Sequence, residues 1–263
     1  NNSLPKMKII RFKNKNLHCY GRLEGEVITP LIGGNTPFNC DLSEEFFEKG
    51  TGLKLDDCEL LTPVNPSKVI GVALNYPGVS NQKSSGEPLV FLKSSNAVVG
   101  LNTDVSLPRS LPAWGEAELA VIINREMKEI PKSQKVEECI LGYCVANDVT
   151  CNNTDERDHH LAISKSQDGF CPIGSFIETN YQYENKMIRG YQNGHLIREG
   201  NTSDMIFKIH QIIRYLSNSM TLLPGDIILT GAPPRVREKI YLSKNDIYKV
   251  SIEGLDEIDT KFI

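Results

Sequence analysis

Residues 119–123, Leu-Ala-Val-Ile-Ile, form an unbroken apolar run. The run is too short for a typical helix and rich in β-branched side chains, so it reads as a buried strand. Glu118 stands immediately before it and Glu116 two residues earlier. If the strand begins near Glu116, both carboxylates project from one face, roughly 7 Å apart by strand rise. Two carboxylates on one buried face repel each other and are costly to desolvate. A divalent cation would relieve both costs; a solvated strand face is the plainer alternative. A second apolar run, Tyr143 to Ala146, also reads as a strand and is followed closely by Asp148. A third carboxylate there could complete one side of an octahedral shell. Oxygen-only ligands suit Mg, with Mn or Ca as alternatives, rather than zinc.

The order of segments around these residues is Glu-x-Glu, an apolar strand, a helix, Gly-Tyr, Asn-Asp-Val-Thr, and Lys-Ser-x-Asp-Gly-Phe-x-Pro-x-Gly. It resembles the fumarylacetoacetate hydrolase family. The resemblance runs from about Val69 to Leu255 and takes in GVALNY, EPLVFLKSS, Asn193-Gly194, REGNTSDMIF and LLPGDIILTGAP. It implies that Glu116, Glu118 and Asp148 are metal ligands and that Lys165 is the active-site lysine. Without it, Lys165 would pass for a surface lysine. It also implies Tyr76, Gln82, Thr230 and Gly231 as substrate contacts, a mixed β-sandwich roll, and a homodimer. Family activities share one electron sink, a metal-chelated 2-oxo acid. They include acylpyruvate and fumarylacetoacetate hydrolysis, oxaloacetate decarboxylation or tautomerisation, and hydroxy-dienedioate isomerisation.

Hydrolytic members activate water with a histidine and a glutamate on a lid, and the chain departs from that pattern. Val79 and Gln82 stand at the matching places, and no histidine occurs between Tyr76 and Glu118. Asn152 stands where many members have arginine, Ala232 where many have threonine, and Pro234-Arg235 replaces the usual Lys-Gly. The expectation is enolate chemistry on a 2-oxo acid, by tautomerisation, isomerisation or decarboxylation. Hydrolysis of an acylpyruvate is the alternative, and a catalytically degenerate, metal-stabilised binding module a third.

The chain of 263 residues suffices for one large or two small domains. A small N-terminal unit is expected over residues 1–62 and a catalytic unit over 63–263. KIIRF, LHCYGRL and EVITPL suggest a meander of short strands, and the whole order of elements suits a β-rich α+β fold. Met7 reads as the native start, after a leader of six residues. Helices are expected at Ser43–Gly50 with Ser43 as cap, at Pro131–Leu141, and at Thr202–Ser219, where Ile206, Ile209, Ile213 and Leu216 recur at helical spacing. His159, His160 and His210 read as solvated. The small, polar stretch from Gly78 to Gly86 reads as a mobile lid.

A formal net charge of -4 attracts neither nucleic acid nor anionic membrane. Seven cysteines without CxxC spacing read as reduced thiols in a cytoplasmic protein.

Overall fold

The computed structural model describes residues 4–80 and 86–263. Gln82 and most of the expected lid therefore lie outside the described residues. The N-terminal segments form the meander that their alternation predicts: β1 (Lys8–Asn14), β2 (Leu17–Glu24) and β3 (Val27–Pro30), followed by β4 (Leu53–Lys54) and β5 (Glu59–Leu61). Next come β6 (Val69–Ala73), β7 (Leu89–Lys93), β8 (Val98–Val99), β9 (Ala113–Trp114) and β10 (Ala117–Ile123). They are followed by β11 (Ile140–Asn147), β12 (Thr150–Cys151), helix α1 (Ala162–Lys165), β13 (Cys171–Pro172) and β14 (Phe176–Glu178). The chain ends with β15 (Met187–Gln192), β16 (His195–Asn201), helix α2 (Ile209–Ser219), β17 (Ile227–Leu229), β18 (Ile247–Ile252) and β19 (Ile258–Lys261).

The larger sheet has the order β4-β3-β2-β1-β14-β11-β10-β17-β6-β7, with β5 also on β1. Its pairs are antiparallel except β17 on β6, so the sheet is mixed. A smaller antiparallel sheet, β16-β15-β18-β19, packs over β10 and β11. β10 lies in the interior of the larger sheet, and every residue in it is buried. That burial explains why its apolar run is continuous. Among the described residues strands far outweigh helices, as expected for a β-rich α+β chain.

Two expected helices give way to tertiary bonds. Over 131–141 only the turn Val136–Cys139 is helical, in 3-10 form, and Ile140 already belongs to β11. The Arg214 guanidinium, from α2, donates to the carbonyls of Ile130, Pro131 and Gln134, which ties this segment to α2. The expected helix over 202–219 is also shorter. It is a 3-10 turn at Thr202–Asp204, a break, and then α2. Asn75 causes the break: its carbonyl accepts from Ile206 N at 2.9 Å and its side-chain oxygen from Phe207 N at 2.8 Å. Ile206 is consequently exposed, while Ile209, Ile213 and Leu216 are buried. The Gln211 side chain reaches back to the Lys208 backbone N–H at 2.7 Å and caps the new start. The expected helix at Ser43–Gly50 is only a 3-10 turn, Glu44–Phe46.

Candidate active site

β10 and β11 pair antiparallel with Ala117 opposite Asn147. The residues just beyond that pair, Glu116 and Asp148, therefore emerge together at one end of the ladder. The backbone N–H of Asp148 donates to the Glu116 carbonyl at 2.9 Å, which fixes their approach. Glu118, one residue into the strand, adds the third carboxylate. One oxygen from each of Glu116, Glu118 and Asp148 lies within 4.8 Å of the others.

Cations surround this cluster unevenly. Lys165, at the end of α1, donates to Asp148 Oδ2 at 2.6 Å, to Thr150 Oγ1 at 2.6 Å and to Glu116 Oε2 at 3.3 Å. Lys93, buried on β7, donates to the other Asp148 oxygen at 2.5 Å and to the Val149 carbonyl at 3.0 Å. Arg198, buried on β16, donates to Glu116 Oε1 at 3.2 Å, and Trp114 Nε1 donates to the same oxygen at 2.9 Å. Glu118 is different. Among the described residues it makes no ion pair, and it accepts from the Gly231 backbone N–H at 2.8 Å.

The acidities follow from this asymmetry. Burial opposes charge on Glu116, but Lys165 and Arg198 outweigh it and hold the carboxyl down at about 2. Burial also disfavours the Lys165 ammonium, yet Asp148 and Glu116 raise its pKa above the usual lysine range. Glu118 goes the other way. Burial, then the charges of Asp148 and Glu116, push its carboxyl well above the carboxylate range. A buried acid crowded by two other carboxylates, whose push the Lys165 charge offsets only in part and which makes no ion pair among the described residues, matches a hard divalent cation and its oxygen ligands. The donor set fits the expected metal.

The cluster opens into a cleft of about 350 Å³. Val79, Phe91, Trp114, Asn152, Ser164, Arg198 and Ala232 line it together with the carboxylates and Lys165. Phe91 backs Lys165, whose Nζ lies 4.5 Å from the ring centroid. That ring lies so close over β6 that a Cβ at residue 71 would sit 2.1 Å from it, so Gly71 makes room for the lysine's backing.

Three expected substrate contacts are not among the residues lining this cleft. Tyr76 is buried with its hydroxyl unpartnered. Thr230 is buried and gives its hydroxyl to the Leu119 carbonyl at 2.8 Å. Gly231, at φ +103°, acts through Glu118. His159, His160 and His210 are exposed. Lys93 and Arg198 carry buried charge that sequence reasoning missed. For Lys93 there was a signal: it alternates with Phe91 on the inward face of a strand. For Arg198 the signal was its place at the head of REGNTSDMIF, one of the stretches that carry the family resemblance.

The family profile described as "Fumarylacetoacetate (FAA) hydrolase C-terminal" matches residues 68–263. The chain belongs to the fumarylacetoacetate hydrolase family. A second profile, "Rv2993c-like, N-terminal", matches residues 7–63. Protein Rv2993c of Mycobacterium tuberculosis is 36% identical over 213 residues, covering 78% of this chain and 79% of that protein. The mitochondrial oxaloacetate tautomerase Fahd2a of Rattus norvegicus is 34% identical over 216 residues, covering 77% and 69%. Among solved structures, a 5-carboxymethyl-2-hydroxymuconate delta-isomerase from Mycobacterium smegmatis superposes with a TM-score of 0.85 at 29% identity, covering 98% of this chain and 99% of that one. A 2-hydroxyhepta-2,4-diene-1,7-dioate isomerase from Mycobacterium marinum gives 0.83 at 31% identity, covering 98% of each. Relatives in this fumarylacetoacetate hydrolase family thus include a tautomerase and isomerases. Among the described residues no helix is long and apolar enough to cross a membrane.

Proposed function

We propose that this chain is a divalent-metal-dependent enzyme that carries a 2-oxo acid through an enolate, by tautomerisation or isomerisation, with decarboxylation as a related outcome. The observation that carries the reading is Glu118: a buried carboxylate that makes no ion pair among the described residues, beside Glu116, Asp148 and Lys165. Glu116, Glu118 and Asp148 would hold the ion, for which Mg is the first choice and Mn or Ca the alternatives. The ion supplies Lewis-acid polarisation of the 2-oxo carbonyl.

The chain's own residues supply the rest. Lys165 is protonated and fixed by Asp148 and Thr150, so a positive charge stands ready where enolate charge develops. Phe91 and Leu74 give the cleft an apolar wall that strengthens that charge stabilisation. Val79 lines the cleft at the place where hydrolytic members of the family carry their histidine. Among the described lining residues there is no histidine to activate water. Enol chemistry is therefore favoured over acylpyruvate hydrolysis, for which general-base loss costs about 100- to 10,000-fold. The named tautomerase and isomerases among the relatives support the same ranking.

A homodimer and a cytoplasmic setting belong to the same reading; all seven cysteines are free thiols. Light scattering at micromolar concentration should give a dimer mass.

The deciding experiment follows deuterium exchange at C3 of a 2-oxo acid beside cleavage of an acylpyruvate. Exchange should occur with added Mg and vanish in Lys165→Met, with metal binding kept. Rapid acylpyruvate cleavage without C3 exchange would instead establish a hydrolase.

A further inference from the structure

Glu116 is fixed at both its backbone and its side chain. Its backbone N–H donates to Asn147 Oδ1 at 3.0 Å, and its carbonyl accepts from Asp148 N at 2.9 Å. In the side chain the two oxygens are treated differently. Oε1 accepts from Trp114 Nε1 at 2.9 Å and from Arg198 Nη2 at 3.2 Å. Oε2 lies on the side of Lys165, at 3.3 Å, and Lys165 also holds Asp148. The donors to Oε1 come from different elements, Trp114 from β9 and Arg198 from β16.

Arg198 is itself braced. Its Nη1 donates to the Pro233 carbonyl at 2.7 Å. Pro233 belongs to the segment after β17, which runs antiparallel beside β16: Arg198 pairs with Arg235, and Val236 N donates to the Ile197 carbonyl at 2.9 Å. Pro233 also packs on Gly200, where a Cβ would lie 2.6 Å from the proline Cβ. The same segment carries Gly231, whose N–H donates to Glu118 at 2.8 Å. Residues 231–236 therefore reach both glutamates, Glu118 directly and Glu116 through Arg198. Charge alone gives Arg198 no part in holding an ion. A guanidinium bonded to a ligand carboxylate repels a dication there, and burial leaves that repulsion poorly screened. What the guanidinium supplies is direction. It is a planar fork, so Nη1 seated on the Pro233 carbonyl fixes where Nη2 points.

We propose that Arg198 is a positioning residue for the metal: braced by residues 231–236, it holds Glu116 Oε1 together with Trp114, so that Oε2 is the oxygen offered to the ion. This inference rests on the metal reading of the site given above. Arg198 acts through Glu116, and its gain in orientation outweighs the repulsion that its charge brings. The segment that braces it is also where the chain departs from its family, at Pro234-Arg235.

Isothermal titration of the full chain with Mg alone tests this role. No organic acid is present, because Arg198 also lines the cleft. Arg198→Met should weaken Mg binding about ten-fold or more, the usual cost of losing a group that orients a metal ligand, even though a repelling charge is removed. Arg198→Lys keeps the charge and loses the fork, so it should be weakened to a similar degree. Trp114→Phe removes the other donor to Oε1 and should weaken binding about three-fold or more, as for one lost hydrogen bond. Trp114 is only half-buried, so this variant carries the test if the buried Arg198 does not tolerate replacement. The sign separates orientation from charge. If Arg198 acted through charge alone, Arg198→Met would bind Mg more tightly and Arg198→Lys would match the unmodified chain. Either result would overturn the proposal, as would unchanged affinity in Trp114→Phe. If the unmodified chain takes up no Mg, the metal reading itself fails and the positioning role falls with it.

Discussion

Glu118 concentrates the physics of the site in one side chain. Glu116 and Asp148 each have cations at hydrogen-bond distance, whereas Glu118 has one backbone N–H and two carboxylate neighbours. In the metal-free protein this is a destabilising arrangement, because a buried acid must either stay protonated or bear an unpaired charge. Glu118→Gln should thus leave the metal-free melting temperature unchanged or higher, by a gain of up to about 1 kcal/mol, while abolishing the rise produced by Mg. A melt that falls by several degrees without metal would count against this account. The pH dependence has a definite sign. Folding raises the Glu118 pKa, so metal binding must displace a proton, and the apparent affinity should increase with pH while Glu118 titrates. Titration calorimetry in buffers of different ionisation enthalpy measures the released proton directly; no release would contradict a protonated Glu118.

At the scale of elements, the legible parts were those in which local pattern and burial agree. The run from Leu119 to Ile123 is apolar because β10 lies inside the larger sheet, and KIIRF, LHCYGRL and EVITPL form the meander β1-β2-β3. The carboxylates stand beside such strands, so their spacing alone raised the metal question, although only the family resemblance settled on it. The helix ends were not legible, because they are set by residues far away in sequence. Asn75 takes the N–H groups of Phe207 and Ile206, and Arg214 takes the carbonyls ahead of β11. No periodicity encodes such bonds. Lys93 and Arg198 escaped for the same reason: their partners Asp148 and Glu116 are reached across the fold. The turn before β17 illustrates a strong long-range tie. Asp226, fully buried, accepts from the N–H and hydroxyl of Ser67, from Lys68 N and from Leu223 N, and pairs with Lys68 Nζ at 2.6 Å. Asp226→Ala should cost about 3 kcal/mol, since it strands several part-buried donors and one ammonium. Urea denaturation would show this as a lower midpoint; a loss below about 1 kcal/mol would mean water replaces the carboxylate.

At the scale of the whole molecule, β1 joins the N-terminal meander to the rest. It pairs with β2 and β5 on the N-terminal side and with β14 on the other, where Ile9 lies opposite Ile177. Its side chains also divide between two interiors: Ile9 belongs to the main core, and Ile10 and Phe12 to a small core with Leu23 and Ile28. Further ties run from the same end of the chain. Thr179 Oγ1 accepts from Met7 N at 2.9 Å, and Lys8 pairs with Asp256 at 2.9 Å. The units expected over 1–62 and 63–263 would thus share one continuous sheet rather than meet at a separable surface. Removing β1 would uncover an edge of β14, with its unpaired backbone groups, and open the main core at Ile177. We therefore expect thermal unfolding of the full chain to be one cooperative transition, with calorimetric and van't Hoff enthalpies in agreement. A chain beginning at residue 63 should be aggregation-prone or unfolded. Two resolved transitions, or a stable and monodisperse 63–263 fragment, would show that the meander is an accessory domain and that β14 tolerates the exposed edge.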